Sequence, residues 1–184
     1  DAPPLPVEPR RRCMFAVSCP EPGPGERPRP PGDAPLVVDI SGSYVRGDLA
    51  PGRFLCGASP PATDDPRVGV DALENVDHAL FEESIWPALA ARIPAFEALR
   101  VEASWAGLYE YCTLDQNAVV GPHPDAANVV VAAGFSGHGL QHAPGVGRGV
   151  AELLDAGRYE TLDLAAFSYD RVVSGTPFRE ANIW

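Results

Sequence analysis

Asn128-Val-Val-Val-Ala-Ala-Gly134-Phe-Ser-Gly-His-Gly-Leu-Gln141 is the stretch that decides the fold of this 184-residue chain. Its first six residues are mostly β-branched and apolar, which predicts a strand buried on both faces in a layered α/β sheet. Three glycines follow within six residues, and helical spacing begins at once. Such a turn exposes backbone N–H groups at a helix N-terminus and lets a flat or anionic ligand approach closely. The Gly-x-x-Gly-x-Gly pattern alone is equally compatible with a turn that serves packing only.

The helix that follows this turn is predicted to continue to a C-terminal glycine, Gly157. Its apolar positions are Ala143, Val146, Val150, Leu153 and Leu154. The remaining residues, Arg158–Trp184, have the composition of a loop-like tail. Four apolar residues in that tail are predicted to dock back onto the domain: Leu162, Leu164, Phe167 and Tyr169.

The segments before residues 128–141, called the organising stretch below, alternate between strand and helix patterns. Short strands separated by Gly and Pro turns are predicted at 13–17, 36–39, 44–46, 53–56, 101–111 and 118–120. Helical spacing extends from Leu73 to Leu99, where Pro87 should kink or divide the helix and Pro94 should begin a new turn. Asp115-Gln-Asn117 is predicted to form a hairpin turn.

Composition excludes several classes of function. The formal net charge of −11 argues against nucleic acid or an anionic membrane surface as the main partner. No apolar run is long enough to predict a transmembrane segment. Residues 20–35 (PEPGPGERPRPPGDAP) predict a flexible, partly polyproline insert. The four cysteines match neither a zinc motif nor a disulfide scaffold, so four free, mostly buried thiols are expected.

Three kinds of chemistry compete for the glycine-rich turn. A metal site would use His138 and His142, which share a helical face, but no third ligand is apparent, so no metal is predicted. A dinucleotide fingerprint would need a second parallel strand bearing an acid about 20 residues later, and Asp163 precedes no convincing strand. The third possibility is a flavin edge on the helix N-terminus, where N–H groups and the helix dipole would stabilise negative charge on the reduced ring.

An ordered series of motifs resembles the C-terminal half of the D-amino-acid-oxidase-like flavoproteins, the group of sarcosine oxidase and dimethylglycine dehydrogenase. The series comprises Trp105–Tyr109, Thr113–Asp115, Val120–Pro124, Ala133–Gly139 and Ala143–Gly147. The resemblance covers nearly the whole chain apart from the insert. It implies an α/β fold with some α+β character. One part would be the antiparallel sheet of the substrate domain, and the other would be the segment in which the chain returns to the FAD-binding domain.

The resemblance also implies domain boundaries. Residues 1–104 would form part of the substrate domain, with 20–35 as its insert, and residues 105–157 would return to the FAD-binding domain. Residues 158–184 would be a C-terminal tail docking on it. The family's N-terminal Gly-x-Gly-x-x-Gly, which grips the FAD pyrophosphate, is not in this sequence. A complete FAD site would therefore need an N-terminal half beyond this chain.

The resemblance places a flavin ring along the organising turn, held mainly by backbone groups. The cofactor-binding residues would be Gly134, Phe135, Ser136, Gly137, His138, Gly139, Leu140 and Gln141. Tyr44, Arg46 and Tyr109 would lie on the substrate side, and no catalytic residue is identified. Sarcosine-oxidase relatives have an oxygen-activating lysine where this sequence has Gln141, and a flavin-linking cysteine where it has Gly107. We therefore expect non-covalent FAD and no fast oxidase chemistry.

Three short stretches are closest to one mitochondrial member of the family. They are Leu5–Arg12, Ser41–Tyr44 and Asp115–Asn117. That likeness implies a role in assembly of respiratory complex I in the mitochondrial matrix, with complex I subunits or assembly intermediates as partners and a peripheral association with the inner membrane left open. The alternative is an FAD-dependent dehydrogenase or oxidase of a secondary amine or amino acid.

Overall fold

The computed structural model of the protein describes residues 1–179. The strands are β1 (Val7–Ser18), β2 (Val37–Val38), β3 (Ser43–Gly47), β4 (Arg53–Ala58), β5 (Arg100–Cys112), β6 (Val119–His123) and β7 (Ala126–Ala133). The α-helices are α1 (His78–Leu80), α2 (Trp86–Arg92), α3 (Gly139–Ala156) and α4 (Asp170–Ser174). Single 3-10 turns lie at Ala62–Asp64, Val70–Glu74, Pro94–Ala98 and Ala165–Phe167.

The chain forms two compact units, whose boundaries fall within β1 and β5. The sheet unit is Arg11–Leu108. The turn unit is Asp1–Arg10 together with the described residues from Tyr109 onward. The assignment of the predicted substrate and FAD-binding domains to residues 1–104 and 105–157 stays a prediction.

An antiparallel sheet with the strand order β2-β3-β4-β1-β5 gives the sheet unit its framework. Alternate residues of β1 are buried, as the two-residue period of a half-covered strand requires. Phe15 pairs with Cys56 in β4, and Cys56 pairs with Val45 in β3. These three side chains therefore share the face that enters the hydrophobic core. The helical segment contributes the other half of that core, with Phe81, Ile85, Leu89 and Phe96.

The helical segment predicted over 73–99 is divided before Pro87 rather than at it. A π-helical turn, Phe81–Ile85, separates α1 from α2, and Pro87 lies at the start of α2. Proline lacks an N–H donor, so a position in the first turn avoids the loss of an internal helix hydrogen bond. The new turn predicted at Pro94 is confirmed by the 3-10 turn Pro94–Ala98.

The strand predicted from Asn128 to Ala133 is β7, which forms a hairpin with β6 and differs from the prediction in its burial. β7 pairs antiparallel with β6 in a two-stranded sheet, and most of its residues are exposed or half-buried. The expectation of a strand buried on both faces was wrong, because an apolar run does not specify how many layers cover it. β6 also extends through Pro122, where a strand end was predicted, with a register irregularity beside His123.

The predicted C-terminal end of α3 is confirmed, since Gly157 closes the helix in the left-handed conformation at φ 70°. Beyond it, the tail packs against α3 and the start of β6. Leu164 lies close enough to Gly149 that a Cβ there would be 2.6 Å from its Cδ1. The Tyr169 hydroxyl donates to the Pro3 carbonyl over 2.8 Å. Tail residues 180–184 lie outside the described residues.

A buried ion pair between Arg171 and Asp115 stabilises the packing of this tail. The side chains of Arg171 and Asp115 are 7% and 0% exposed, and Arg171 Nε lies 2.8 Å from Asp115 Oδ2. Burial alone would raise the pKa of Asp115. Hydrogen bonds from Arg171, Phe178 and Asn117 together outweigh that effect and hold the pKa of this carboxyl below its ordinary value. The hairpin predicted at 115–117 was wrong, because β5 and β6 belong to different sheets, and the turn between them instead anchors the tail.

The proline- and glycine-rich insert, residues 20–35, is hydrogen-bonded to the β3–β4 turn at its C-terminal end. Leu49 N donates to Gly32 O over 3.0 Å, and Gly47 N donates to Ala34 O over 3.4 Å. Its flexibility stays a prediction. All four cysteines are free and buried, as predicted. Within residues 1–179, no helix is long and apolar enough to cross a membrane.

Candidate cofactor site

The glycine-rich turn between β7 and α3 has an unusual backbone. Gly134, Ser136 and Gly137 all have positive φ, at 77°, 48° and 91°. Two of these positions are glycine, which adopts this conformation without steric cost. Ser136 is held there by its own hydroxyl, which donates to Gly134 O over 3.3 Å and accepts from Cys112 N over 3.0 Å. Ser136 therefore has a structural role in the turn, and its contact with the cofactor stays a prediction.

Close packing explains why two of these glycines have no side chain. A Cβ at Gly134 would lie 2.7 Å from Val7 Cγ2, and one at Gly137 would lie 2.9 Å from the Tyr109 ring. Both distances are too short for a real Cβ contact. Tyr109, predicted on the substrate side, thus lies directly against the turn in the turn unit.

Several backbone donors of the predicted site are already used within the turn unit. Gly134 N donates to Glu110 Oε2 over 2.8 Å, and Phe135 N donates to Glu110 Oε1 over 3.3 Å. Ser136 N donates to the Glu110 carbonyl over 3.1 Å, and His138 N donates to Phe135 O over 3.0 Å. The first part of the turn is therefore satisfied internally.

The start of α3 is open in contrast. The N–H groups of Gly137, Gly139, Leu140 and Gln141 have no hydrogen-bond partner among residues 1–179. His138 occupies the N-cap position without a side-chain capping bond. Leu140 is 90% exposed, so this end of the helix is accessible. Unpaired donors and the positive end of an 18-residue helix suit an electron-rich or anionic group.

The two histidines beside the turn stack on each other. The ring centroids of His138 and His142 lie 5.7 Å apart, and Phe135 lies 6.5 Å from His142. Within the described part of the chain, no group of three or more His, Cys, Asp or Glu residues could hold a metal ion. His138 is half-buried and His142 is exposed.

The other two predicted substrate-side residues lie in the sheet unit. Tyr44 and Arg46 share the face of β3 opposite to the buried Ser43, Val45 and Gly47, as their spacing predicts. The Tyr44 hydroxyl lies 3.1 Å from Met14 Sδ, a weak acceptor. Burial raises the pKa of Tyr44, so this hydroxyl stays protonated at neutral pH.

The surroundings of Tyr44 were not found from sequence. Its ring covers Gly57, where a Cβ would lie 2.6 Å from the hydroxyl oxygen. Gly57 and Met14 are paired residues of neighbouring strands, so only the strand register could have linked them. Arg12 Nη1 and Nη2 each lie 2.8 Å from an oxygen of Asp65. Arg12 and Met14 are two residues apart on β1 and therefore share a strand face. This spacing was the one local signal in the sequence for the surroundings of Tyr44.

Arg46 has no carboxylate partner among the described residues. Its guanidinium donates to the Gly47 carbonyl over 3.0 Å and is otherwise exposed. An exposed guanidinium on the same strand face as a protonated tyrosine can bind a carboxylate with charge-assisted hydrogen bonds.

Comparisons with known proteins identify the family of this chain. Residues 1–153 match the family described as FAD dependent oxidoreductase. The chain is 49% identical over 179 residues to FAD-dependent oxidoreductase domain-containing protein 1 of Xenopus laevis, a match that covers 97% of this chain and 34% of that protein. The chain thus spans about a third of the length of the curated relatives it matches.

Solved structures of two enzymes have the same fold. L-proline dehydrogenase from P. horikoshii superposes with a TM-score of 0.68 at 25% identity, over 94% of this chain and 42% of that chain. Glycine oxidase from Geobacillus kaustophilus gives 0.62 at 26% identity, over 90% and 40%. These matches confirm the predicted α/β fold of the D-amino-acid-oxidase type. The chain belongs to the FAD dependent oxidoreductase family.

Proposed function

We propose that this chain holds the ring of a non-covalent FAD on the backbone donors at the start of α3. The observation that supports this most directly is the set of four unpaired N–H groups at Gly137, Gly139, Leu140 and Gln141. These donors suit the flavin ring, whose pyrimidine side becomes electron-rich on reduction. Within the predicted cofactor set, Gly134, Phe135 and Ser136 contribute shape rather than donors.

Bound FAD would supply the capacity to accept two electrons as a hydride. The chain's own part is electrostatic: donors and the helix dipole fixed in advance stabilise negative charge without reorganisation. Gln141 and Gly107 stand where an oxygen-activating lysine and a linking cysteine would otherwise be expected. We infer that the remaining contacts to FAD come from a polypeptide segment outside this chain.

A proline substitution tests the donor role without shortening the helix. Leu140→Pro removes one N–H in the first turn, where proline is tolerated. Leu140→Ala is the matched control, because it removes the same exposed side chain and keeps the N–H. Both are introduced into a chimaera in which this chain replaces the matched segment of the frog relative. We expect the Kd for FAD to rise about tenfold in the proline variant only. Equal FAD affinity in both variants would contradict the proposal.

We further propose that the protein acts in assembly of respiratory complex I in the mitochondrial matrix, with complex I subunits or assembly intermediates as partners. Its support is the likeness of Leu5–Arg12, Ser41–Tyr44 and Asp115–Asn117 to a mitochondrial member of the family. A peripheral contact with the inner membrane belongs to the same proposal. Cells that lack their own family member and express the chimaera should recover assembled complex I on native gels. Unchanged complex I would contradict this role.

A flavin-dependent dehydrogenase of a secondary amine or amino acid is the second candidate. The observation that favours it is the exposed guanidinium of Arg46 on the same face of β3 as Tyr44. A carboxylate of an amino acid would match these two groups. Anaerobic mixing of the flavin-loaded chimaera with a panel of small amines should bleach the flavin absorbance if this candidate is correct. A flavin that stays oxidised with every amine would exclude it.

A further inference from the structure

Glu110 makes an exceptional set of contacts for an exposed residue on the last part of β5. Its carboxylate accepts hydrogen bonds from Gly134 N and Phe135 N, over 2.8 and 3.3 Å. Its backbone carbonyl accepts from Ser136 N over 3.1 Å. One residue thus binds three consecutive N–H groups of the glycine-rich turn, from a position 24 to 26 residues earlier in the chain.

The arrangement of these donors is typical of an anion site. Successive N–H groups that converge near backbone with positive φ form a concave site for anions. Here φ is positive at Gly134 and again at Ser136. A carboxylate of the protein itself fills the place that a phosphate or sulfate oxygen would otherwise take.

We propose that Glu110 is a positioning residue that occupies the anion-binding concavity of the turn and so reserves the turn for a flat ring rather than an inorganic phosphate. Its carboxylate fixes the Gly134–Phe135 peptide, and the neighbouring contacts from Tyr109 and Cys112 fix the two ends of the turn. The fixed negative charge repels a second anion at the same donors. The exclusion of inorganic anions by Glu110 can be tested on this chain alone. Any advantage of that exclusion for FAD binding rests on the proposed function.

Removal of the carboxylate should open the concavity. In Glu110→Ala, the two amides lose their acceptor, and their hydrogen exchange should accelerate about tenfold, the effect of losing one ordinary hydrogen bond. Sodium sulfate should then shift the Gly134 and Phe135 amide resonances of this variant in a saturable way. Sodium acetate, which restores a carboxylate, should slow the exchange again.

Two further proteins make the test specific. Glu102→Ala is the matched control, because Glu102 is an exposed glutamate on the same strand whose hydrogen-bond partner is Ser18. It should respond to sulfate as the unchanged chain does, with no saturable shift at the turn. Glu110→Gln keeps one acceptor oxygen and should free one of the two amides. This variant preserves the test if the alanine variant does not fold.

The outcomes separate this inference from the cofactor assignment, since exchange and sulfate binding are measured without flavin. If the amides of Glu110→Ala and Glu110→Gln exchange as slowly as those of the unchanged chain and no sulfate binds, the inference is overturned. If they respond as expected while Leu140→Pro and Leu140→Ala bind FAD equally, the role of Glu110 stands and the cofactor assignment fails.

Discussion

The sheet unit and the turn unit differ in how large a share of their buried residues is polar. The sheet unit has a hydrophobic cluster of thirteen buried residues, including Phe15, Phe54 and Phe96. The buried residues of the turn unit include four polar ones, Asp115, Asn117, Ser136 and Arg171. Its longest helix, α3, buries Gly149, while Leu140 and Leu154 are exposed. Hydrophobic burial therefore dominates in the sheet unit, whereas the turn unit combines a few buried apolar residues with directional polar contacts.

The largest effect should come from the hydrophobic core. Phe15→Ala removes a fully buried ring that contacts Phe81, and the cavity should lower the free energy of unfolding by about 3–5 kcal/mol. Urea denaturation measures the loss, and hydrogen exchange by mass spectrometry should localise it to residues 11–108. Ile40→Ala is the control: Ile40 is 99% exposed, so the change should be below about 0.5 kcal/mol. Equal effects of the two substitutions would contradict the role of hydrophobic burial in the sheet unit.

A somewhat smaller effect is expected from the buried ion pair of the turn unit. Arg171→Met leaves the Asp115 carboxylate buried without its cation, which should cost about 3 kcal/mol. The double variant with Asp115→Asn should recover part of that loss, because no charge then remains uncompensated. Arg158→Met, which breaks an exposed pair with Glu160, serves as the control. A single variant as stable as this control would show that the pair contributes little.

The smallest effect should be the pH dependence of stability that comes from Glu152, which binds the start of the tail. Glu152 accepts hydrogen bonds from the Thr161 hydroxyl and from the backbone N–H groups of Glu160 and Thr161, and these bonds lower its pKa to about 2. A lowered pKa gives stability that is present above the unfolded value of about 4.5 and is lost as the pH falls towards 2. Glu152→Gln should therefore lower the urea midpoint at pH 6 and not at pH 2. A difference that persists at pH 2 would contradict this account.

Local patterns predicted the elements of the chain well. The strands over 13–17, 44–46 and 53–56 lie within β1, β3 and β4, and the helix after Gly137 ends at the predicted glycine. These predictions depend on spacing and on residues with fixed backbone preferences, which act over a few positions. The burial of β7 was predicted wrongly because burial depends on which elements cover a strand, and that information is not local.

The order of strand, glycine-rich turn and capped helix was determined by the sequence alone, since Gly134, Gly137 and Gly157 suit backbone that other residues rarely adopt. Only the tertiary structure decided which N–H groups of that turn are free. Glu110 takes the first donors from 24 residues away, and Asp115 meets Arg171 from 56 residues away. Such contacts follow from strand register and chain folding, so the sequence predicted where a ligand would lie and the structure identified the groups available to hold it.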